Sequence, residues 1–477
     1  AGNGRPPMIS TPSVDASSAG NNAVPTHSRD FNPTRRRRVR PAKKGRIVAD
    51  VSLAPHPPIA TIMTPPNRFF DVRMRGFRDR TDVADALALI DARVAALGSH
   101  SIPIAEAAGR VLAAPLVATV AVPAFDRAAM DGYALRAEET FGATPYSPLE
   151  LSVVGESLPA RPFLGAVAVG QAVRIMTGSP VPEGADAVLP AESAQEIDGR
   201  LRVTEPVPPQ RHIGRRGEDV TPGREVLPAR RVLRPQDLGL IASIGVDQVE
   251  VVRRPSVTIL ITGDELLPAG ATPGDFQIID SNSIMLAALV RRDGGDVASI
   301  QRLPDRRDAI RAAMLASSSD VLLISGGSSV GQEDHAPSLL AELGELAIHG
   351  LALRPAAPTG LGFLDGRFVV LLPGNPVSCL CAYDLFAGRA VRRLGGRSPE
   401  LPYRSRRLPL AEKLASAVGR VDYVRVKVTP DGVIPLAISG ASILSSTTAA
   451  DGFVLVERDC EGYTEGTEVD VFVYDGC

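Results

Sequence analysis

The 477-residue chain predicts a multidomain α/β plus β protein: a central doubly wound α/β domain, an inserted β domain, a helical linker domain and a C-terminal small β-barrel-like domain. Three observations carry this expectation. From residue 256 to about 396, apolar β-branched runs alternate with helical patterns, the signature of a parallel sheet covered on both faces. From about 150 to 205, short β-rich runs such as LSVV, AVRIM and LRVTEPV are separated by Gly and Pro. From Leu408 onward, YVRVKV, FVLVE and EVDVFVY alternate apolar and polar residues, which fits a small closing β domain.

Along the chain, the first segment is set apart by charge. Residues 1–75 hold 13 Lys/Arg against 4 Asp/Glu, although the whole chain carries a formal net charge of −2. The segment is rich in Pro, Ser, Asn and Ala without periodicity, so a disordered basic extension is expected there, as a solvated tail rather than a nucleic-acid arm. From Asp82, DVADALALIDARVAAL has helical spacing closed by Gly98-Ser99, and a second short helix is expected over 104–112. A helix returns over 234–242. In the α/β part, strands are expected at 257–262, 297–302, 321–325 and 368–372, with helices starting near Ser283, Asp305 and His335. Asn375 before Pro376 has the form of an N-cap with Pro at the first helical position, and that helix ends in RRLGG, where cations suit the negative end of the dipole. The resulting boundaries are 1–75 for the extension, 76–122 with 208–252 for the linker domain, 123–207 for the inserted β domain, 253–400 for the α/β domain and 401–477 for the closing domain.

Composition excludes several classes. Apolar residues make up 44%, enough for a substantial core, but aromatics are 4% and Trp is absent. Neither a base-stacking surface nor a membrane aromatic belt is therefore expected, and no apolar run approaches the roughly 18 residues that span a bilayer. The expected partners thus include no membrane and no nucleic acid. Cys379, Cys381, Cys460 and Cys477 lack the spacing of a zinc site and read as free thiols of a reducing compartment, the cytoplasm.

The chemistry gathers where the α/β strands end. The run VLLIS passes into Gly326-Gly327-Ser328-Ser329 and on to Asp334; VTILIT into Gly263-Asp264-Glu265; FVVLL into Pro373-Gly374-Asn375; and QII into Asp280-Ser281-Asn282. In a parallel sheet these loops open on one edge, where ligands bind. Glycine backbone N–H groups, Ser hydroxyls and a helix N-terminus suit phosphate. Asp264 and Asp334 would repel that phosphate unless a hard cation lies between, and Mg²⁺ fits the role. A single glycine pair would equally fit a tight turn; the convergence points to a phosphorylated ligand held with Mg²⁺.

TGDEL, DSN, SGGSSVGQED and LPGNPVS, together with VPAFDRAAMDGYALR (122–136), RIMTGSPVPEGADAV (174–188) and GRRGEDV (214–220), resemble the molybdopterin molybdenumtransferases, the gephyrin E-domain group, in order over about residues 80–477. The resemblance implies insertion of molybdate into the dithiolate of adenylylated molybdopterin, with Mg²⁺ present and AMP released, in an elongated homodimer. It makes the α/β domain the molybdopterin-binding domain. Asp131, Thr177 and Asp219 of one chain would face Asp264 and Asp334 of the other, although Asp131 before Gly132 also fits a simple turn and Thr177 a strand-end cap. Ser281, Gly326, Gly327, Ser328, Ser329, Gly374, Asn375 and Ser378 would hold the substrate.

One segment departs from the family. Its usual Lys-Pro-Gly-Lys-Pro is RPAAP here, so Arg354 can stand for the first lysine, whereas Ala357 replaces the second with no charge. The chain has only four lysines, which accounts for the arginine but not for the alanine. Arg425 and Ser442, at positions that match a family arginine and serine, could carry the oxyanion together with Arg354 through forked donors. Two other readings stay open: a non-catalytic molybdopterin carrier or scaffold that has lost oxyanion capture, and a nucleotide-processing hydrolase. Molybdate and tungstate are not distinguished.

Overall fold

The computed structural model describes residues 77, 79–327, 334–437 and 440–474. The basic extension, Ser328, Ser329 and Cys477 lie outside the described residues.

The centre is a six-stranded sheet. Its order is Asp296–Leu303, Ser256–Thr262, Val321–Ser325, Arg367–Leu372, Gly360–Leu364 and Glu345–His349. The first four are parallel, in register Val257↔Val321 and Val321↔Phe368. Every residue of Val321–Ser325 is buried, which is why that run is uniformly apolar rather than alternating. Side chains still leave on two faces with a period of two. Val257, Ile259, Val321, Leu323, Phe368 and Val370 meet Leu286, Val290 and Phe386 on one face, and Leu322, Ile324, Val369 and Leu371 meet Ile310, Met314 and Leu339 on the other. Helices Asn282–Arg292, Arg307–Ala316 and Ala336–Leu343 supply those layers, so the domain is doubly wound. Each fully buried Leu, Ile or Val contributes about 1.5–3 kcal/mol.

The sheet differs from the all-parallel expectation at one edge. Gly360–Leu364 and Arg367–Leu372 form an antiparallel hairpin, to which Glu345–His349 adds antiparallel. Beyond Leu372, one helical run carries Pro376–Ala382, a π turn at Tyr383–Ala387 and Gly388–Leu394.

The two stretches expected to form a helical linker meet through strands as well as helices. Ser99–Pro103 pairs antiparallel with Gln248–Val252, and Leu116–Val117 with Glu225–Leu227. The helices are Val83–Arg93 and Pro235–Ser243, with Pro at the start of the latter. Over 104–112 only a 3-10 turn at Ile104–Glu106 forms. Gly109, at φ +71°, ends the helical path, and Val111 and Leu112 bridge to Val232 and Val251 instead.

Between these stretches sits a second six-stranded sheet, ordered Ala187–Pro190, Gly132–Leu135, Gln171–Ile175, Leu149–Ser157, Arg200–Val203 and Ala194–Ile197. A third sheet joins Val421–Thr429, Gly452–Val456, Glu468–Val473 and Arg404–Pro409, with Gly432–Ala437 alongside. Its free edge is taken by Leu353–Arg354, a strand that leaves the α/β domain and places Arg354 opposite Asp422. Cys379 and Cys381 are buried and Cys460 is half-buried, all as free thiols. Burial pushes the Cys379 thiol up to about 12, so it is a neutral packing group.

Candidate active site

A cavity of about 770 Å³ opens beyond the carboxyl ends of the parallel strands. Four strand ends build it: Thr262-Gly263, Asp280-Ser281-Asn282, Ser325-Gly326-Gly327 and Pro373-Gly374-Asn375. Gly326 has φ +96°, and a Cβ there would lie 2.4 Å from the carbonyl oxygen of Thr262. Only glycine lets the two strand ends come this close.

Asn282 ties three of those ends together. Its amide Nδ2 donates to Ser325 Oγ at 3.0 Å and to the Gly374 carbonyl at 2.7 Å. Asp280 caps the same helix, accepting from the Ser283 N–H at 2.9 Å. What remains points at a ligand. Among the described residues, Asn282 Oδ1, Thr262 Oγ1 and Asp280 Oδ2 are buried without a hydrogen bond, although Arg302 stands 3.6 Å from Asp280 Oδ2 as an ion pair. Buried polar atoms are otherwise satisfied in folded proteins, so these three mark where a bound group or water would bond.

The expected residues divide into two sets. Gly326, Gly327, Gly374, Asn375, Ser281, Ser442 and Asp334 line the cavity. Ser442 arrives from the C-terminal region because the Val377 N–H donates to the Ala441 carbonyl at 2.9 Å. Asp264 is exposed and is not a lining residue; it and Asp305 bond reciprocally, each carboxylate to the other's backbone N–H at 3.3 Å. Ser378 is buried in its helix, off the lining.

Asp131 and Thr177 meet each other at a distance from this cavity in sequence and sheet. Gly132 pairs with Ile175, and that register places the Thr177 N–H and hydroxyl each 2.7 Å from Asp131 Oδ1. The backbone bond and then the hydroxyl bond hold the Asp131 carboxyl below the usual carboxylate range. Asp219 is exposed in the turn after Gly217. None of these three lines the cavity.

Three family profiles match consecutive stretches: the MoeA N-terminal region (domains I and II) over 81–245, a probable molybdopterin binding domain over 258–393 and the MoeA C-terminal region (domain IV) over 407–474. Molybdopterin molybdenumtransferase 2 of Mycobacterium tuberculosis is 34% identical over 384 residues, 78% of this chain and 94% of that protein. The molybdopterin molybdenumtransferase of Haemophilus influenzae is 32% identical over 376 residues, 77% of this chain and 91% of that one. The chain belongs to the molybdopterin molybdenumtransferase family of molybdenum cofactor biosynthesis. The fold agrees: two structures of a MoeA protein from Pyrococcus horikoshii, 30% and 31% identical, superpose with TM-scores of 0.73 and 0.69, covering 84% and 83% of this chain and all of theirs.

Within this molybdenumtransferase fold, Arg354 sits outside the cavity lining. Its guanidinium grips Asp422 with both arms, Nε at 2.8 Å and Nη2 closer. Asp422 is fully buried and also takes the Ser416 hydroxyl at 2.6 Å. Arg425 is fully buried in the same strand as Asp422, Val421–Thr429, and burial lowers its pKa from the ordinary value. Pro358, next to Ala357, does reach the cavity. Asp280, Asn282 and Glu265, which the sequence names only within the strand-end runs, line it too, as do Thr262 and Asp305. Asp280 and Asn282 flank Ser281 in the DSN motif. The signal for them was an acid and an amide at the start of a helix, which reads as a cap unless the facing loops are known.

Proposed function

We propose that this chain inserts molybdate into the dithiolate of adenylylated molybdopterin, with Mg²⁺ bound, and releases AMP. Each dithiolate sulfur takes the place of one molybdate oxygen, which leaves protonated as water, and attack of one water on the phosphoanhydride frees the AMP and leaves the phosphate on the pterin. The observation that carries the reading is the cavity built from four strand ends, whose glycine backbone N–H groups and Thr262 hydroxyl can donate to a phosphate, while Asn282 Oδ1 can accept from an N–H elsewhere on the ligand. Gly326, Gly327, Gly374 and Asn375 would hold the phosphate, with Ser281 and Ser442 at its sides.

The cavity's acids are carboxylates alone, the hard donors that Mg²⁺ takes one or two at a time beside phosphate oxygens and water. Asp334 would hold the ion from the lining, with Asp264 reaching in from the Asp264–Asp305 clasp. Mg²⁺ supplies charge neutralisation at the phosphates. The chain's own groups would orient the pterin phosphate. Asp131, Thr177 and Asp219 lie off their own chain's cavity, so they would serve the reaction from a second copy, in a homodimer.

The pairing of Arg354 with Asp422 favours a second reading, a molybdopterin-binding protein without oxyanion capture. One experiment separates them: purified chain, adenylylated molybdopterin, Mg²⁺ and a molybdate titration, with AMP release followed. Molybdate-dependent AMP release is expected. Tight pterin binding without AMP release would favour the binding protein instead.

A further inference from the structure

A second cavity, of about 470 Å³, lies at the opposite edge of the α/β sheet. Arg253 and Arg254 precede the strand Ser256–Thr262, Asp296 opens the strand Asp296–Leu303, and His100 and Arg110 come from the linker. These are amino ends of parallel strands, so the site is remote from the cavity described above. The linker strand pair makes it: Ser99 opposes Val252, which delivers His100 and the two arginines to one place.

The charges there do not cancel. Arg253 forks onto Asp320 at 2.9 and 2.7 Å, and Arg254 stands 3.4 Å from Asp296. Among the described residues, Arg110 has no carboxylate of its own in hydrogen-bond reach: its Nη2 donates to the Val252 carbonyl at 3.2 Å and lies 3.4 Å from His100 Nε2. Its Nε is buried and makes no hydrogen bond among the described residues. Three guanidiniums thus line the cavity with one carboxylate, Asp296, while Asp320 and Glu106 act from outside the lining, and the Arg110 Nε donor is left without an acceptor among the described residues. Burial and then the Arg254 charge hold the Arg110 pKa below its ordinary value, a strain that a bound anion would relieve.

We propose that Arg110, Arg254 and His100 form a second anion site, one that takes the dianionic phosphate group of a small molecule. Guanidinium forks suit tetrahedral oxyanions, and the volume is within the range of small-ligand pockets, larger than bare phosphate needs. The site is independent of the transferase reading, since it shares no residue with the first cavity.

The test follows the His100 ring by NMR in the full chain, with the resonance assigned by its loss in His100→Gln. Inorganic phosphate and AMP are titrated separately, with ionic strength held constant by chloride. A saturable shift of the His100 signal is expected, with apparent affinity weakened roughly tenfold or more in Arg110→Gln. Tighter binding of AMP than of phosphate would identify a phosphoester as the occupant, and equal binding would identify the free ion. Arg254→Gln, on a half-exposed side chain, guards against a folding defect in Arg110→Gln and should weaken binding likewise. The proposal is overturned if neither anion shifts His100 saturably, or if both arginine variants bind as the parent does.

Discussion

Asp131 accepts two hydrogen bonds at one oxygen, from the backbone N–H and the hydroxyl of Thr177. Both favour the ionised form, so its folded-state pKa lies below the unfolded value of about 3.9. The stabilisation is therefore present above that value and is lost as pH falls through the depressed folded pKa. An NMR titration of the Asp131 carboxyl should find a midpoint under about 3.9 in the parent. In Thr177→Val the backbone donor stays and the hydroxyl goes, so the midpoint should rise part of the way back. A variant midpoint equal to the parent's would mean that the hydroxyl bond is not made in solution. The sequence names both residues, in MDGYA and MTG, but two motifs 46 positions apart say nothing of contact. The register of Gly132 with Ile175 supplies it.

At the scale of elements, the short strand Leu353–Arg354 decides what its arginine can do. By pairing with Val421–Thr429 it sets Arg354 against the buried Asp422, with Arg420 a further 3.3 Å partner. Arg354→Ala would leave Asp422 buried with one cation fewer, a loss of about 3 kcal/mol in denaturant unfolding. Arg354→Lys keeps the charge without the fork and should lose less. If Arg354→Ala instead unfolds like the parent while its molybdate dependence weakens, the arginine serves the oxyanion after all. Sequence reached the cation but not its partner, because strand exchange between domains leaves no local pattern. The sheet edge was legible in principle: Asp365-Gly366 sits between GLGFL and RFVVLL, and φ values of +48° and +78° there are those of a type I′ hairpin turn. The buried parallel strands were plain, since a strand covered on both faces must be apolar throughout. The glycine-rich strand ends were plain as well, whereas Asp280 and Asn282 take their meaning from loops far away in the chain.

For the whole molecule, the arrangement of the site turns on chain number. Asp334 lines the cavity, while the Asp131–Thr177 clasp belongs to a separate sheet with its own core. In a two-fold dimer, each active site would then take Asp334 from one chain and Asp131 from the other. Asp334→Asn and Asp131→Asn should each abolish most turnover as pure proteins, because every site lacks one carboxylate. Unfolded together and refolded as a mixture, half of the dimers carry one of each variant. Such a dimer has one site with both substitutions and one with neither. Activity should therefore recover to about a quarter of the parent rate. The measurement is AMP release by the mixture against each variant alone. No recovery, with mixed dimers shown to have formed, would place both carboxylates of a site on the same chain.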